Sequence, residues 1–186
     1  MQRKSVKRAT SRIKEQIKEL RLDLPFNLGE AKIEIGDHER GAAWALFVEM
    51  STRISTQSVE KNASSVREAL TSLYLLFGVT REVLKEAGPV VGQSAKSLGP
   101  LAIKILNEGL RPFLNRWHVG YRAYETAQAL AMVKTFGLHA PSIELVDQAD
   151  WSELDAFYNE LETTRLELCK YVDMLATIAG VEPTSE

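Results

Sequence analysis

The residues whose types and spacing offer chemistry lie in the segment 111–118, which reads RPFLNRWH. Arg111 and His118 are two helical turns apart, so in a continuous helix their side chains lie on one face. Such a pair admits two interpretations. Either it is a catalytic pair that cleaves RNA, or it consists of polar residues that hold a helical bundle together; we favour a structural or binding role.

A polar stripe extends this pair along the same helix. Its members occupy an arc of roughly 80° beside the apolar stripe, and they are Asn107, Arg111, Asn115, His118, Arg122 and Glu125. Pro112 points elsewhere. Inside a helix a proline removes a backbone hydrogen bond and costs roughly 3 kcal/mol. Together with Gly109, it predicts a kink.

The elements that must position these residues are helices from about residue 39 onward. On the first helix, we expect the core side to carry Trp44, Phe47, Val48 and Ile54, whereas Glu49 and Arg53 face largely away. In the second helix, the apolar stripe Val66, Leu70, Leu73, Phe77, Thr80, Leu84 and Ala87 follows a capping box formed by Ser65 and Glu68. Gly88-Pro89 predicts its end.

The third helix is expected from near Pro100 to about Phe136, and the fourth from an N-cap at Asp150 to Gly180. Both carry apolar stripes of helical period. Four such helices predict an all-α protein, an antiparallel four-helix bundle with a basic N-terminal helix and a short extended or hairpin segment.

Composition divides the chain into four segments. Residues 1–21 contain eight Lys or Arg and are predicted to form a basic amphipathic helix. Residues 22–38 read as an extended linker or small hairpin, residues 39–180 as the helical bundle, and residues 181–186 as a disordered tail. Residues 140–186 carry eleven acids against two bases, so the first helix either docks on this acidic end or grips phosphates; a membrane surface is less favoured.

Several kinds of chemistry are disfavoured. A single cysteine, Cys169, forms no intrachain disulfide and supplies no structural zinc site. None of the three histidines follows a glutamate by three residues, as di-iron bundles require, so no metal or cofactor is expected. The loop 88–97 lacks the glycines of a phosphate-binding loop, and no Gly-x-Ser-x-Gly elbow exists. Without a signal or membrane-spanning stretch, we expect a cytoplasmic protein.

Four segments together carry a resemblance: LPFNLGEAKIEI (24–35), GAAWALFVEMSTRISTQ (41–57), VREALTSLYLLFGVTREVL (66–84) and LAIKILNEGLRPFLNRWH (101–118). In this order they resemble an uncharacterised family of bacterial all-helical proteins. The resemblance implies a bacterial helical protein but brings no activity or ligand. The motif positions it points to are Trp44, Glu49, Arg53, Arg81, Arg111, Pro112, Trp117 and His118.

Arg111 and His118 also resemble the R-x4–6-H signature of the HEPN helical ribonucleases. That resemblance implies a histidine acting on the 2′-hydroxyl as base or on the leaving oxygen as acid, and an arginine stabilising the pentavalent phosphate. Pro112 stands where the family usually has a polar residue. In the alternative interpretation, Arg111 pairs with an acid such as Glu49 or Glu82 at the boundary between packed helices.

Three functional hypotheses follow. The first, which we favour, is a non-enzymatic helical module that binds a protein partner or self-associates, in a bacterial stress or phage-defence system. The second is a metal-independent ribonuclease using Arg111 and His118, although no catalytic residue is expected under the first. The third is a receptor for an anionic small ligand such as a nucleotide. The candidate binding residues are Glu49, Arg53, Arg81, Asn107, Arg111, Asn115, Trp117 and His118.

Overall fold

The structure, a computed structural model, describes residues 18–53, 65–136 and 146–182. The elements in chain order are β1 (Lys18–Asp23), β2 (Glu30–Ile35), α1 (Asp37–Ser51), α2 (Val66–Ala87), α3 (Leu98–Lys104), a π-helical segment (Ile105–Leu110), α4 (Arg111–Phe136) and α5 (Leu154–Ala179). Helices dominate, and the sheet has only two strands, so the all-α class is confirmed in this broad sense.

The N-terminal strands form an antiparallel hairpin in which Lys18 lies opposite Ile35 and Asp23 opposite Glu30. The predicted helix over residues 1–21 is therefore wrong for residues 18–21, and residues 1–17 lie outside the described part of the chain. Leu20 and Leu22 alternate with polar neighbours, and this period of two suits a strand once β2 is available as a partner. Of the two expectations for residues 22–38, the hairpin is confirmed, but it begins at Lys18.

Helix α1 lies against α5 and α2. Its buried face includes Ala42, Ala43, Leu46, Phe47 and Met50, whereas Trp44 and Val48 are 50% and 39% exposed. The prediction that these two side chains face the core is wrong, and Ile54 lies outside the described residues. At 100° per residue the buried positions form one face of α1, and positions 44 and 48 lie beyond its edge.

Helix α2 begins after Ser65 and ends before Gly88, as predicted. The capping box is not formed, because the Ser65 side chain makes no capping hydrogen bond. The first backbone N–H of the helix, that of Val66, donates to Oε1 of Gln148 at 2.8 Å. Gly88 has a φ of 76°, which favours glycine.

The third predicted helix is helical from Leu98 to Phe136, but a π-helical segment interrupts it at Ile105–Leu110. This segment includes Gly109 and ends two residues before Pro112, where the sequence predicted a kink, and the kink itself stays a prediction. The N–H of Arg111 donates to the carbonyl of Leu106, five residues back, and Pro112 has no N–H to donate.

The last helix, α5, begins at Leu154 rather than at the predicted N-cap Asp150, which ends a 3-10 turn capped by Asp147. It ends at Gly180, which has the left-handed conformation predicted for a helix end. The N–H of Val181 still bonds to Ala176, so the helix cap includes this residue. The rest of the predicted disordered tail, from residue 183, lies outside the described residues.

An aromatic cluster closes the core between α4 and the start of α5. Its members are Phe113, Trp117, Tyr121, Trp151 and Phe157. Trp117 is 1% exposed and meets Trp151 and Phe157 edge to face, with centroid distances of 5.7 and 5.4 Å. This cluster fixes which face of α4 is buried and therefore which face remains for a site.

Candidate functional site

A groove runs between α2 and α4, and we call it the α2/α4 groove. It consists of two cavities of about 570 and 530 Å³ that share Phe77, Arg81 and Arg111. The first cavity extends to Leu84, Pro89, Ile103 and Asn107, and the second to Tyr74, Asn115, His118 and Arg122. A smaller cavity of about 240 Å³ continues from His118 and Arg122 towards Arg67.

The two helices place these side chains because they run antiparallel. Contacts at successive turns pair the start of α2 with the middle of α4, and the middle of α2 with the start of α4. Arg67 forms an ion pair with Glu125 at 2.6 Å. Further along, the rings of Tyr74 and His118 meet edge to face at 5.9 Å, and the guanidinium of Arg111 lies 4.7 Å from the centre of the Phe77 ring.

Arg111 is held by an amide and an aromatic ring rather than by an acid. Its Nε and Nη2 atoms donate to Oδ1 of Asn107 at 3.1 and 2.7 Å. The expected pairing with Glu49 or Glu82 is wrong, since Glu49 pairs with Arg53 at 2.9 Å and Glu82 with Lys85 at 3.0 Å. The orientation of Arg111 is therefore fixed while its positive charge stays available.

Two more guanidinium groups line the same groove. Arg81 borders both large cavities, and Arg122 borders the second large cavity and the small one. Among the described residues no ion pair joins Arg81, Arg111 or Arg122 to a carboxylate. Lys85 and Arg67 at the two ends do have acidic partners. The middle of the groove thus carries three guanidinium groups that form no ion pair with the described residues.

His118 lies on this same positive face. Burial, and secondarily the nearby charge of Arg122, lower the pKa of His118 below its ordinary value of 6.5. This shift favours the neutral imidazole, the form that can accept a proton.

The structure brings together five of the eight predicted site residues and separates three. Arg81, Asn107, Arg111, Asn115 and His118 line the groove. Trp117 is buried in the aromatic cluster and is therefore not part of the candidate surface. Glu49 and Arg53 pair with each other at the end of α1 and do not line the groove.

Sequence reasoning missed three groove residues. The apolar period places Phe77 in the core stripe, the polar period places Arg122 beside the predicted site, and neither pattern includes Tyr74. Tyr74 is 62% exposed. Tyr74, Phe77 and Arg81 follow one another at spacings of three and four, which place them on one face of α2. That spacing was the signal available in the sequence.

Neither a protein-family model, a curated protein nor a solved structure shows significant similarity to this chain. The two resemblances noted from the sequence therefore stay predictions. Within residues 18–53, 65–136 and 146–182, no group of three or more His, Cys, Asp or Glu side chains is arranged to hold a metal ion. None of the helices in these ranges is long and apolar enough to cross a membrane.

Proposed function

We propose that this protein is a non-enzymatic receptor whose α2/α4 groove binds an anionic ligand with a flat ring, such as a nucleotide. The observation that carries the proposal is the set of three arginines, Arg81, Arg111 and Arg122, which line aromatic-floored cavities without an acidic partner among the described residues. Clustered positive charges repel one another, and a bound anion relieves that repulsion.

The groove offers suitable groups for both parts of such a ligand, the anionic group and the flat ring. A guanidinium presents a rigid fork of donors that fits phosphate or carboxylate oxygens, and Arg111 is already oriented by Asn107 and Phe77. The first cavity adds apolar walls from Leu84 and Ile103, with a hydroxyl from Thr80. Cavities of about 570 and 530 Å³ lie within the usual range for small-molecule sites.

Isothermal titration calorimetry with AMP, ADP, ATP and inorganic phosphate tests the proposal. We expect the wild type to bind at least one nucleotide more tightly than phosphate, and Arg81→Gln with Arg111→Gln to abolish the binding. Arg116→Gln is the matched control, because Arg116 also lies on α4 over an aromatic ring but pairs with Glu160 away from the groove. No heat with any of these ligands, or equal loss in the control, contradicts the proposal.

A ribonuclease is the second candidate, favoured by one observation: Arg111 and His118 line the same 530 Å³ cavity. In this mechanism His118 takes the proton of a 2′-hydroxyl as general base while that oxygen attacks the phosphorus, and Arg111 stabilises the pentavalent phosphate. The bond from phosphorus to the 5′-oxygen then breaks, and water supplies the proton of that leaving oxygen. Incubation with single-stranded and structured RNA in EDTA decides it. Cleavage by the wild type but not by a folded His118→Ala variant supports the ribonuclease, and cleavage unchanged in that variant removes it.

We also propose that the protein associates with a partner or with a second copy of itself. Exposed Trp44, Tyr74 and Leu75 support a protein partner or self-association, which light scattering of the calorimetry samples tests.

We also propose that the four long helices pack as an antiparallel bundle, supported by the antiparallel contacts between α2 and α4. A cytoplasmic location, a bacterial stress or phage-defence role and phosphate binding by residues 1–21 stay predictions.

A further inference from the structure

The turn of the β1–β2 hairpin docks on the π-helical segment. Phe26 and Asn27 in this turn have φ values of 59° and 55°. A bulky aromatic residue at positive φ is uncommon and carries strain, so surrounding contacts must hold it there. The turn is closed by a hydrogen bond from the N–H of Leu24 to the carbonyl of Gly29 at 2.8 Å.

Two contacts hold Phe26 against the helices. Its N–H donates to the carboxylate of Glu167 on α5. Its ring lies so close to Gly109 that a Cβ at this glycine would be 2.6 Å from Cγ of Phe26. A side chain at position 109 would therefore displace the ring. Glycine is required there because of this close approach.

Gly109 lies inside the π-helical segment, which also sets the start of the groove. A π-helical turn contains more residues than an α-helical turn, so it offsets the residues before it from those after it. Asn107 lies within this segment and Arg111 directly follows it, and both line the first cavity. The hydrogen bonds from Arg111 to Asn107 therefore join the first residue after the π-helical turn to a residue within it.

We infer that Phe26 is a positioning residue for the groove. By docking on Gly109 it fixes the π-helical turn, and this turn presents Asn107 to Arg111 so that the guanidinium is oriented before a ligand arrives. The effect on ligand affinity rests on the proposed function. The effect on Arg111 itself does not, and it is measurable in the ligand-free protein.

The experiment follows the Nε–H signal of Arg111 by ¹H–¹⁵N NMR in the ligand-free full chain, assigned with Arg111→Lys. We expect Phe26→Ala to shift this signal and speed its exchange with water, and Phe26→Leu to restore most of the wild-type behaviour. Leu20→Ala is the control, since Leu20 also packs on the core from the hairpin but is not among the atoms nearest to a Cβ at Gly109, all of which belong to Phe26. An unchanged Arg111 signal in folded Phe26→Ala overturns the inference.

A double-mutant cycle tests the contact directly. Gly109→Ala alone should change the Arg111 signal as Phe26→Ala does, whereas adding Gly109→Ala to Phe26→Ala should change little more, because the clashing ring is gone. Fully additive changes contradict the inference. If Phe26→Ala does not fold, Glu167→Gln gives the decision: it weakens the acceptor of the Phe26 N–H and should shift the signal in the same direction.

Calorimetry with the tightest nucleotide then separates the two proposals. We expect Phe26→Ala to weaken binding about fivefold, the effect of losing one orienting hydrogen bond, and Leu20→Ala to leave it unchanged. If the wild type binds no anion, the proposed function fails while the NMR result still decides the role of Phe26. Equal weakening by Leu20→Ala would assign the effect to hairpin stability and overturn the positioning role.

Discussion

Two arginines on α4 make the same kind of aromatic contact in opposite surroundings. Arg116 lies 4.5 Å over the Trp117 ring and pairs with Glu160 at 2.8 Å. Arg111 lies 4.7 Å from the Phe77 ring, and its hydrogen bonds go to the neutral amide of Asn107. The first charge is neutralised by α5, where α4 meets the aromatic cluster. The second remains open to a ligand, where α4 meets α2.

This difference distinguishes a structural face of the helix from a binding face. On the structural face, affinity between helices comes from buried rings, and charges only border them. On the binding face, the aromatic residues Phe77 and Tyr74 stay partly accessible, and the charges lack acidic partners among the described residues. Substitutions on the two faces should therefore affect different properties of the protein.

The largest effect is expected for Trp117→Ala on the structural face. Removing a side chain that is 1% exposed leaves a cavity beside the rings of Phe113, Trp151 and Phe157 and should lower the free energy of unfolding by about 3–5 kcal/mol. Chemical denaturation followed by circular dichroism measures the loss. The folded fraction of Trp117→Ala should keep its ligand affinity at low denaturant. If Trp117→Ala is as stable as the wild type, the aromatic cluster does not support the fold.

On the binding face, Arg111→Gln should weaken nucleotide affinity about tenfold or more, because a charge-assisted hydrogen bond is lost. Its free energy of unfolding should stay close to that of the wild type, since the side chain is exposed and has no acidic partner among the described residues. Arg111→Lys keeps the charge and should lose an intermediate amount of affinity. Calorimetry and denaturation on the same samples provide the test, and loss of stability without loss of affinity would reverse the assignment of the two faces.

The pH dependence of binding gives a smaller effect. Since the pKa of His118 lies below 6.5 in the free protein, acidification adds a positive charge to the groove and should strengthen anion binding, by about fivefold at most. The same shift makes the folded protein bind fewer protons than the unfolded chain, so His118 contributes stability above pH 6.5 that is lost as the pH falls below it. Calorimetry and denaturation between pH 5 and 8 measure both trends, and both should disappear in His118→Asn. If this variant keeps the pH profile of the wild type, His118 is not their cause.

The smallest effect is expected for Arg116→Gln. Its ion pair with Glu160 is exposed, so the free energy of unfolding should fall by less than about 1 kcal/mol. Nucleotide affinity should be unchanged within error. A clear loss of affinity would mean that both faces of α4 take part in binding, and the comparison of the two arginines would fail.

The sequence predicted where the helices end better than which of their faces are buried. The ends of the second and fourth helices at Gly88 and Gly180 follow from local chemistry, since glycine adopts backbone angles that other residues avoid. The capping box predicted at Ser65 is not formed, and the hydrogen bond from the N–H of Val66 goes to Gln148, a residue too far along the chain for a local motif to predict. The helix predicted for residues 18–21 is wrong because the strand there depends on β2 for its hydrogen bonds. The spacing of Ile13, Ile17 and Leu20 in the sequence is that of a helix.

By itself the sequence determined that helices dominate, where two of them end, and that Arg111 and His118 share a face with Asn107 and Asn115, because these properties depend on periods within one segment. Only the tertiary structure decided that Trp117 is core, that Arg111 lacks an acidic partner among the described residues, and that Tyr74, Phe77 and Arg81 face it across the groove. Whether a charge is neutralised or left for a ligand depends on the neighbouring helix. That neighbour is fixed only when the helices pack.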